Sequence, residues 1–501
     1  MSSRFPIPSP CLLVLTAALA AVLACGPPLE LAEIPDVSPD QEALQLSIGL
    51  LRPVRLAGEE RERMHLEARM EHHGVPGLVV AVIDGGELRW IRAYGETEAG
   101  GDVDVEPKTL FQAGSVSKMV TSMAILRRAE RGDLDLEAPL DAALSGWTLP
   151  GPGADGVTVA QLLAHTAGVG VPSYSGYPAD VETLPDLGTI LGGESPAQSP
   201  AVTVTSAPGE RWRYSGGGYM VLQRLLEELA GAPFEKVMGE DVFGPLGMHS
   251  STFRHPLTAD LASRAAVGHD ATGAPLSGAW RHYPESAAAG LWTTAEDLLT
   301  WIVDVQKAYA GKPGRRLGKA TARSMVRAQE PGGWGLGPEL GGRGHARWFG
   351  HRGGNAGYRS LAIGFVHSGQ GMVVLTNSDR GMDLAHEIAA GLAEVYGWPT
   401  FAQVERTAVD VAPEVWSGLV GTYALDAFPE MTLTVGMDDG DGLPWAELFG
   451  RRSRLYAAPD GTFFDLDAGW VLEVSAPGAG GGGVSAVELQ TWEGIRWSAR
   501  R

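Results

Sequence analysis

Two pairs of strand-forming segments, standing at opposite ends of a long stretch of mostly helical patterning, limit the fold of this chain more than any other feature. Leu78 to Asp84 (LVVAVID) and Leu88 to Tyr94 (LRWIRAY) flank Gly85-Gly86-Glu87, and β-branched residues on either side of a glycine turn predict a hairpin. Ser360 to Phe365 and Gly371 to Thr376 (GMVVLT) predict a second strand pair. Between them, Val116, Met119, Val120, Met123 and Leu126 recur at helical spacing over Ser115 to Arg131, with Gly132 where a helix commonly stops. Thr158-Val159-Ala160-Gln161 has the form of a capping box before a short helix, and another helix is expected after Thr294. Strands at both ends with helices between them predict an α+β fold in which the terminal segments share one antiparallel sheet.

At 501 residues the chain exceeds what one hydrophobic core usually serves, so a large domain plus a smaller one is expected. The large domain spans residues 49–400 and opens with a helix over Glu59 to His72. The pair His72-His73 reads as a solvated helix end rather than a metal site. Over residues 401–415 the pattern lapses into a linker. Residues 416–501 then read as a small all-β domain of short strands, with a flexible hairpin loop at Gly478 to Gly483. That domain carries no catalytic constellation, which makes an accessory role the expectation.

The N-terminus reads as targeting. Arg4 precedes an apolar run, Cys11 to Ala24, too short for a comfortable membrane span and the right size for the core of a signal peptide over residues 1–25. Val22-Leu23-Ala24-Cys25 resembles the lipobox of bacterial lipoproteins, which implies lipidation of Cys25 and anchoring to a membrane. The other reading is an ordinary signal peptide cut nearby. Both readings place the protein outside the cytoplasm, periplasmic or as a membrane-anchored lipoprotein. Cys11 and Cys25 are the only cysteines, so the rest of the chain has no thiol for a disulfide, a nucleophile or a metal. Residues 26–48, rich in proline and acid, are expected to be an unstructured tether. A formal net charge of −21 repels phosphate backbones, so nucleic acid is not an expected partner.

The chemistry concentrates at Ser115-x-x-Lys118. On a helix this spacing puts a hydroxyl and an amine one turn apart on the same face, a nucleophile and a base. The lysine can take the serine proton only where burial or neighbouring charge lowers its pKa. At a helix N-terminus the Ser115 N–H is also offered to a developing oxyanion. The surrounding Thr109-Leu110-Phe111-Gln112-Ala113-Gly114-Ser115-Val116-Ser117-Lys118 resembles the active-site segment of the beta-lactamase-related serine hydrolases, which include class C beta-lactamases, DD-peptidases and several esterases. Pro208-Gly209-Glu210-Arg211-Trp212-Arg213-Tyr214-Ser215-Gly216 resembles that family's Pro-Gly turn and Tyr-x-Asn element, which makes Tyr214 the second base. Gly350-His351-Arg352-Gly353-Gly354 resembles the His-x-Gly version of its third element. By this resemblance His351 faces the substrate, the Gly354 N–H supplies the other half of the oxyanion hole, and the glycines there, Gly353 included, let substrate backbone approach. Leu162 to Gly168 and Ala288 to Leu298 resemble further family landmarks, with structural roles.

The resemblance implies a beta-lactamase/transpeptidase-like fold, an antiparallel sheet with flanking helices and a helical subdomain, and acyl transfer to water with no cofactor and no metal. The substrate class it implies is a small ester, amide or peptide. Gly216 stands where the family has an asparagine that orients the lysine and binds the substrate amide, and glycine does neither with a side chain. His351 in place of lysine also removes a fixed charge for a substrate carboxylate, which Arg352 or Arg359 is expected to supply. Three functions follow from these residues: an ester or amide hydrolase, a cell-wall D-Ala-D-Ala carboxypeptidase or beta-lactamase, and a catalytically silent cell-wall-binding protein. Other hydrolase routes lack their residues, since Gly-x-Ser-x-Gly, His-Glu-x-x-His and a phosphate-binding Gly-x-x-x-x-Gly-Lys are all missing from the sequence.

Overall fold

The expected hairpin forms from Gly77–Asp84 (β1) and Glu87–Gly95 (β2) in a computed structural model, which describes residues 38–428, 431–438, 440, 442–448, 450–477 and 484–501. Gly85 (φ 62°) and Gly86 (φ 80°) make its turn, and positive φ at both central positions is what a type I′ connection demands. Glu339–Gly341 (β3), Trp348–Asn355 (β4), Tyr358–Phe365 (β5) and Gly371–Thr376 (β6) complete a six-stranded sheet in the order β2-β1-β6-β5-β4-β3, antiparallel throughout. β1 lies against β6 from Leu78 opposite Thr376 to Ile83 opposite Gly371, so the two ends of the large domain share one sheet as the pattern predicted.

The principal helices are Val116–Arg131 (α1), Gly216–Ala230 (α2), Ala295–Ala310 (α3) and Gly381–Tyr396 (α4). β1 is apolar from Gly77 to Ile83 because both of its faces are covered there. Val79, Ala81 and Ile83 belong to the core that holds α1, α2 and α3, whereas Leu78, Val80 and Val82 pack with Leu384, Ile388 and Leu392 of α4. The same alternation runs along β4: Phe349 joins the first core and Trp348 the second. α1 passes through the interior, with every residue from Val116 to Leu126 buried, and ends at left-handed Gly132, φ 81°. The Thr158 capping box is present, its hydroxyl accepting from Gln161 N while the Gln161 side chain accepts from Thr158 N.

Among the described residues of 421–501 there are nine antiparallel strands, from Gly421–Leu425 to Arg496–Arg500. In sheet order the first strand is Arg451–Arg454 and the last Tyr456–Ala457, joined by Leu455 alone, so the sheet curls into a nearly closed barrel. Tyr423, Leu433, Val435, Leu472, Val487 and Leu489 fill it. Pro39–Arg501 form one compact body. Trp492 Nε1 donates to Ala402 O at 3.1 Å, and Arg451 pairs with Asp383 of α4 at 2.5 Å.

Several expectations need correction. The tether does not reach residue 48, because Pro39–Ser47 is a helix that buries Glu42, Ala43 and Leu46 and holds Arg89 through Glu42 at 2.9 Å. The helix expected from Glu59 is only Leu66–His73, since Met64 is tied to Leu50 by paired backbone hydrogen bonds that extended chain makes and helix does not. His73 is buried against Glu387 at 3.0 Å rather than solvated, while His72 is exposed. The expected linker contains Val404–Arg406, paired in parallel with Val54–Leu56. Cys11, Cys25, the signal-peptide segment and Gly478 to Gly483 lie outside the described residues.

Candidate active site

Ser115 stands at the start of α1, where Gly114 (φ 51°) turns the chain from the short strand Phe111–Gln112 into the helix. A Cβ on Gly114 would come within 2.6 Å of Gly354 N, so only glycine lets the helix start press against β4. The approach is pinned on both sides. Ser360 Oγ donates to Ala113 O at 2.8 Å, Ala113 N donates to Leu291 O at 2.9 Å, and Ser117 Oγ accepts from Leu291 N at 3.0 Å. The backbone of Gly354 is thereby brought against Gly114, next to Ser115; Gly354 is exposed and Ser115 half-buried.

Lys118 follows one turn later and is buried. Its Nζ donates to Ser115 Oγ at 3.0 Å and to Ala288 O at 2.8 Å, and lies 4.9 Å from the centre of the Tyr214 ring. Burial disfavours the ammonium and lowers its pKa from 10.5 to about 7. Tyr214 is also buried, which raises its pKa, while a hydrogen bond with Ser115 works the other way. The Tyr214 hydroxyl is 3.4 Å from His351 Nε2, and His351 Nδ1 lies 2.5 Å from Arg352 O. A carbonyl only accepts, so Nδ1 carries the proton and Nε2 faces the phenol as an acceptor. Burial, with the cations of Lys118 and Arg352, lowers the His351 pKa to about 3, so its imidazole is neutral.

The four residues Ser115, Lys118, Tyr214 and His351 therefore converge, and Gly354 joins them. Arg352 does not. Consecutive strand residues face opposite sides, and Arg352 leaves the sheet away from His351 to pair with Glu339 at 2.6 Å and Glu493 at 3.7 Å. Arg359 is paired with Asp379 at 2.9 Å and donates to Asn355 O at 2.8 Å. Gly353 is not open to substrate either, because a Cβ there would meet Ala113 O at 2.0 Å and Ser360 Oγ at 2.2 Å. Its missing side chain serves the contact between β4 and the segment before α1. At Gly216 a Cβ would stand 2.9 Å from the Tyr174 ring and 3.0 Å from Pro172 O, so Tyr174 fills the space a side chain would need.

Three further residues hold the site, of which His165 falls within the landmark Leu162 to Gly168. His165, at φ 61°, accepts from Ser215 N through Nδ1 at 3.1 Å and sets its ring 4.4 Å from that of Tyr214. Asn355 Nδ2 ties the end of β4 to Gln112 Oε1 at 2.7 Å and Ala289 O at 3.0 Å. Phe428, from the barrel, lies 5.4 Å from Tyr214, ring centre to ring centre. Among the described residues no group of three or more His, Cys, Asp or Glu could hold a metal ion.

Residues 63–396 match the protein family described as Beta-lactamase. The chain belongs to the beta-lactamase family. Members of the family are serine hydrolases. This beta-lactamase-family chain is 29% identical over 386 residues to penicillin-binding protein 4 of Amycolatopsis lactamdurans, covering 71% of this chain and 94% of that one. Its fold is shared by the octameric penicillin-binding protein homologue from Pyrococcus abyssi (TM-score 0.57, 20% identity), over 87% of this chain and 99% of the other. The class C beta-lactamase of Rhodobacter sphaeroides is also similar (TM-score 0.52, 19% identity), over 65% of this chain and 97% of that one. The large domain therefore has the beta-lactamase/transpeptidase-like fold, and a nearly closed all-β barrel follows it.

Proposed function

We propose that the protein is an exported serine hydrolase that cleaves an ester or amide through an acyl-enzyme on Ser115. The observation that carries the reading is the 3.0 Å hydrogen bond from Lys118 Nζ to Ser115 Oγ, made by an amine whose burial sets its pKa at about 7. Neutral Lys118, with the Tyr214 hydroxyl hydrogen-bonded to Ser115, moves the Ser115 proton as Oγ bonds to the carbonyl carbon. The carbonyl oxygen takes the electron pair and is held by the N–H groups of Ser115 and Gly354. Tyr214, kept in its neutral form by burial and oriented by His351 Nε2, relays the proton to the leaving oxygen or nitrogen as that bond breaks. Water then attacks the acyl carbon, gives a proton back along the same path, and releases the acid and free Ser115.

Ser115→Ala is expected to abolish labelling of the protein by a fluorophosphonate probe. Labelling retained at another residue would sink the assignment. A cell-wall carboxypeptidase or beta-lactamase activity is the second reading, favoured by the similarity to a penicillin-binding protein. The Tyr174 ring beside Gly216 weighs against it, because no amide side chain can stand there to bind the substrate carbonyl. Acylation of the purified protein by a fluorescent penicillin decides between the two. Export and a lipid anchor at Cys25 belong to the same proposal, and mass spectrometry of the mature N-terminus tests them.

A further inference from the structure

The barrel touches the large domain at the residues that matter most for the chemistry. Phe428 lies in the connection between the barrel strands Gly421–Leu425 and Thr432–Met437. Its ring centre is 5.4 Å from that of Tyr214, 5.9 Å from Trp212 and 5.5 Å from Trp497 of the last barrel strand. The Arg352 guanidinium in turn sits over Trp497 at 5.6 Å and pairs with Glu493 of the barrel at 3.7 Å. A continuous set of contacts thus runs from the Tyr214 ring, through Phe428 and Trp497, to the residue next to His351. The large domain supplies His165 at 4.4 Å and Trp334 at 5.9 Å around the same ring. Phe428 is the barrel's addition to that set.

We propose that Phe428 is a positioning residue for Tyr214, so that the active site is assembled from both domains. A phenol that must hold Ser115 and His351 at once needs its ring fixed, and a ring is fixed by what packs against it. Truncating Phe428 leaves a void beside the ring. The phenol gains rotamers, water enters, and the hydroxyl spends less time between Ser115 Oγ and His351 Nε2. The inference rests on the proposed role of Tyr214 in moving the Ser115 proton.

The test is the second-order rate of fluorophosphonate labelling of Ser115, measured on the full chain with variants made singly and together. Phe428→Ala is expected to slow labelling about tenfold to a hundredfold, the cost of a catalytic group displaced by roughly 1 Å. Phe428→Leu, which refills much of the space, recovers most of the rate. In a Tyr214→Phe background, Phe428→Ala is expected to change the rate less than about twofold, because no hydroxyl is left to position. Trp416→Ala removes a ring of the helix Pro413–Leu419 that packs on the barrel 4.9 Å from Phe463, and is expected to leave labelling unchanged. Equal losses from Phe428→Ala in both backgrounds, or an equal loss from Trp416→Ala, would mean a general loosening of the barrel and overturn the assignment. Slow labelling by Tyr214→Phe with full labelling by Phe428→Ala overturns the assignment alone. Full labelling by Tyr214→Phe overturns the proton-relay role beneath it.

Discussion

Raising the pH from 6 to 8 is expected to speed acylation of Ser115 about tenfold. Lys118 accepts the serine proton only as a neutral amine, and burial places its pKa at about 7. The neutral fraction is then about a tenth at pH 6, a half at pH 7 and nine-tenths at pH 8. A lysine left at the ordinary 10.5 would be neutral in about one molecule in three thousand at pH 7, so burial raises the competent population by roughly three orders of magnitude. The same shift costs stability. Because the folded pKa lies below the unfolded one, the unfolded chain binds more protons between about pH 7 and 10.5, and stability rises with pH across that window. At pH 7 the penalty is on the order of 4 kcal/mol. Lys118→Met is therefore expected to melt at a higher temperature while labelling about a hundredfold to ten-thousandfold more slowly. Fluorophosphonate labelling rates in buffers of constant ionic strength, with a melting curve at each pH, read both effects. A flat rate between pH 6 and 8, or a rising limb that survives in Lys118→Met, would refute the reasoning.

Two further outcomes follow from the packing. Gly216→Asn is expected to destabilise the protein by about 1–3 kcal/mol in urea titrations, because its side chain meets the Tyr174 ring, and Tyr174→Ala made with it recovers part of the loss. Arg352→Met leaves Glu339 buried without its cation and Glu493 with His386 alone, costing about 3–5 kcal/mol by chemical denaturation. Because Arg352 points away from His351, that variant changes KM for neutral and carboxylate-bearing substrates by the same factor.

The parts of the fold that the sequence disclosed are those governed by local rules. The Gly85-Gly86 turn, the Thr158 capping box and the Gly132 stop each depend on neighbours within a few residues, and all three form where expected. The site was legible as far as motif order carried it, which brought Ser115, Lys118, Tyr214, His351 and Gly354 together. Arg352 was misplaced although the signal was present, because adjacent residues of a strand cannot both face the cleft. Gly353 reads as a concession to substrate and Gly216 as a lost asparagine, yet each makes room for the protein itself, Gly353 for the Ala113 carbonyl and Gly216 for the Tyr174 ring. Those partners lie far away in sequence or in a patternless loop, and no periodicity announces them. The same holds for Phe428, whose contact with Tyr214 crosses between domains.

The near closure of the barrel has a consequence for how the protein survives at high concentration. An open β-sheet presents unpaired N–H and C=O groups along its outer strands, where another chain can add a strand and begin a fibril. Here Leu455 joins the two outermost strands directly, so each exposed margin is short. One of them, Arg451-Arg452-Ser453-Arg454, is only four residues long, and Arg451 and Arg452 are held in ion pairs with Asp383 and Asp438. A domain built almost wholly of strands is thereby poorly suited to polymerise.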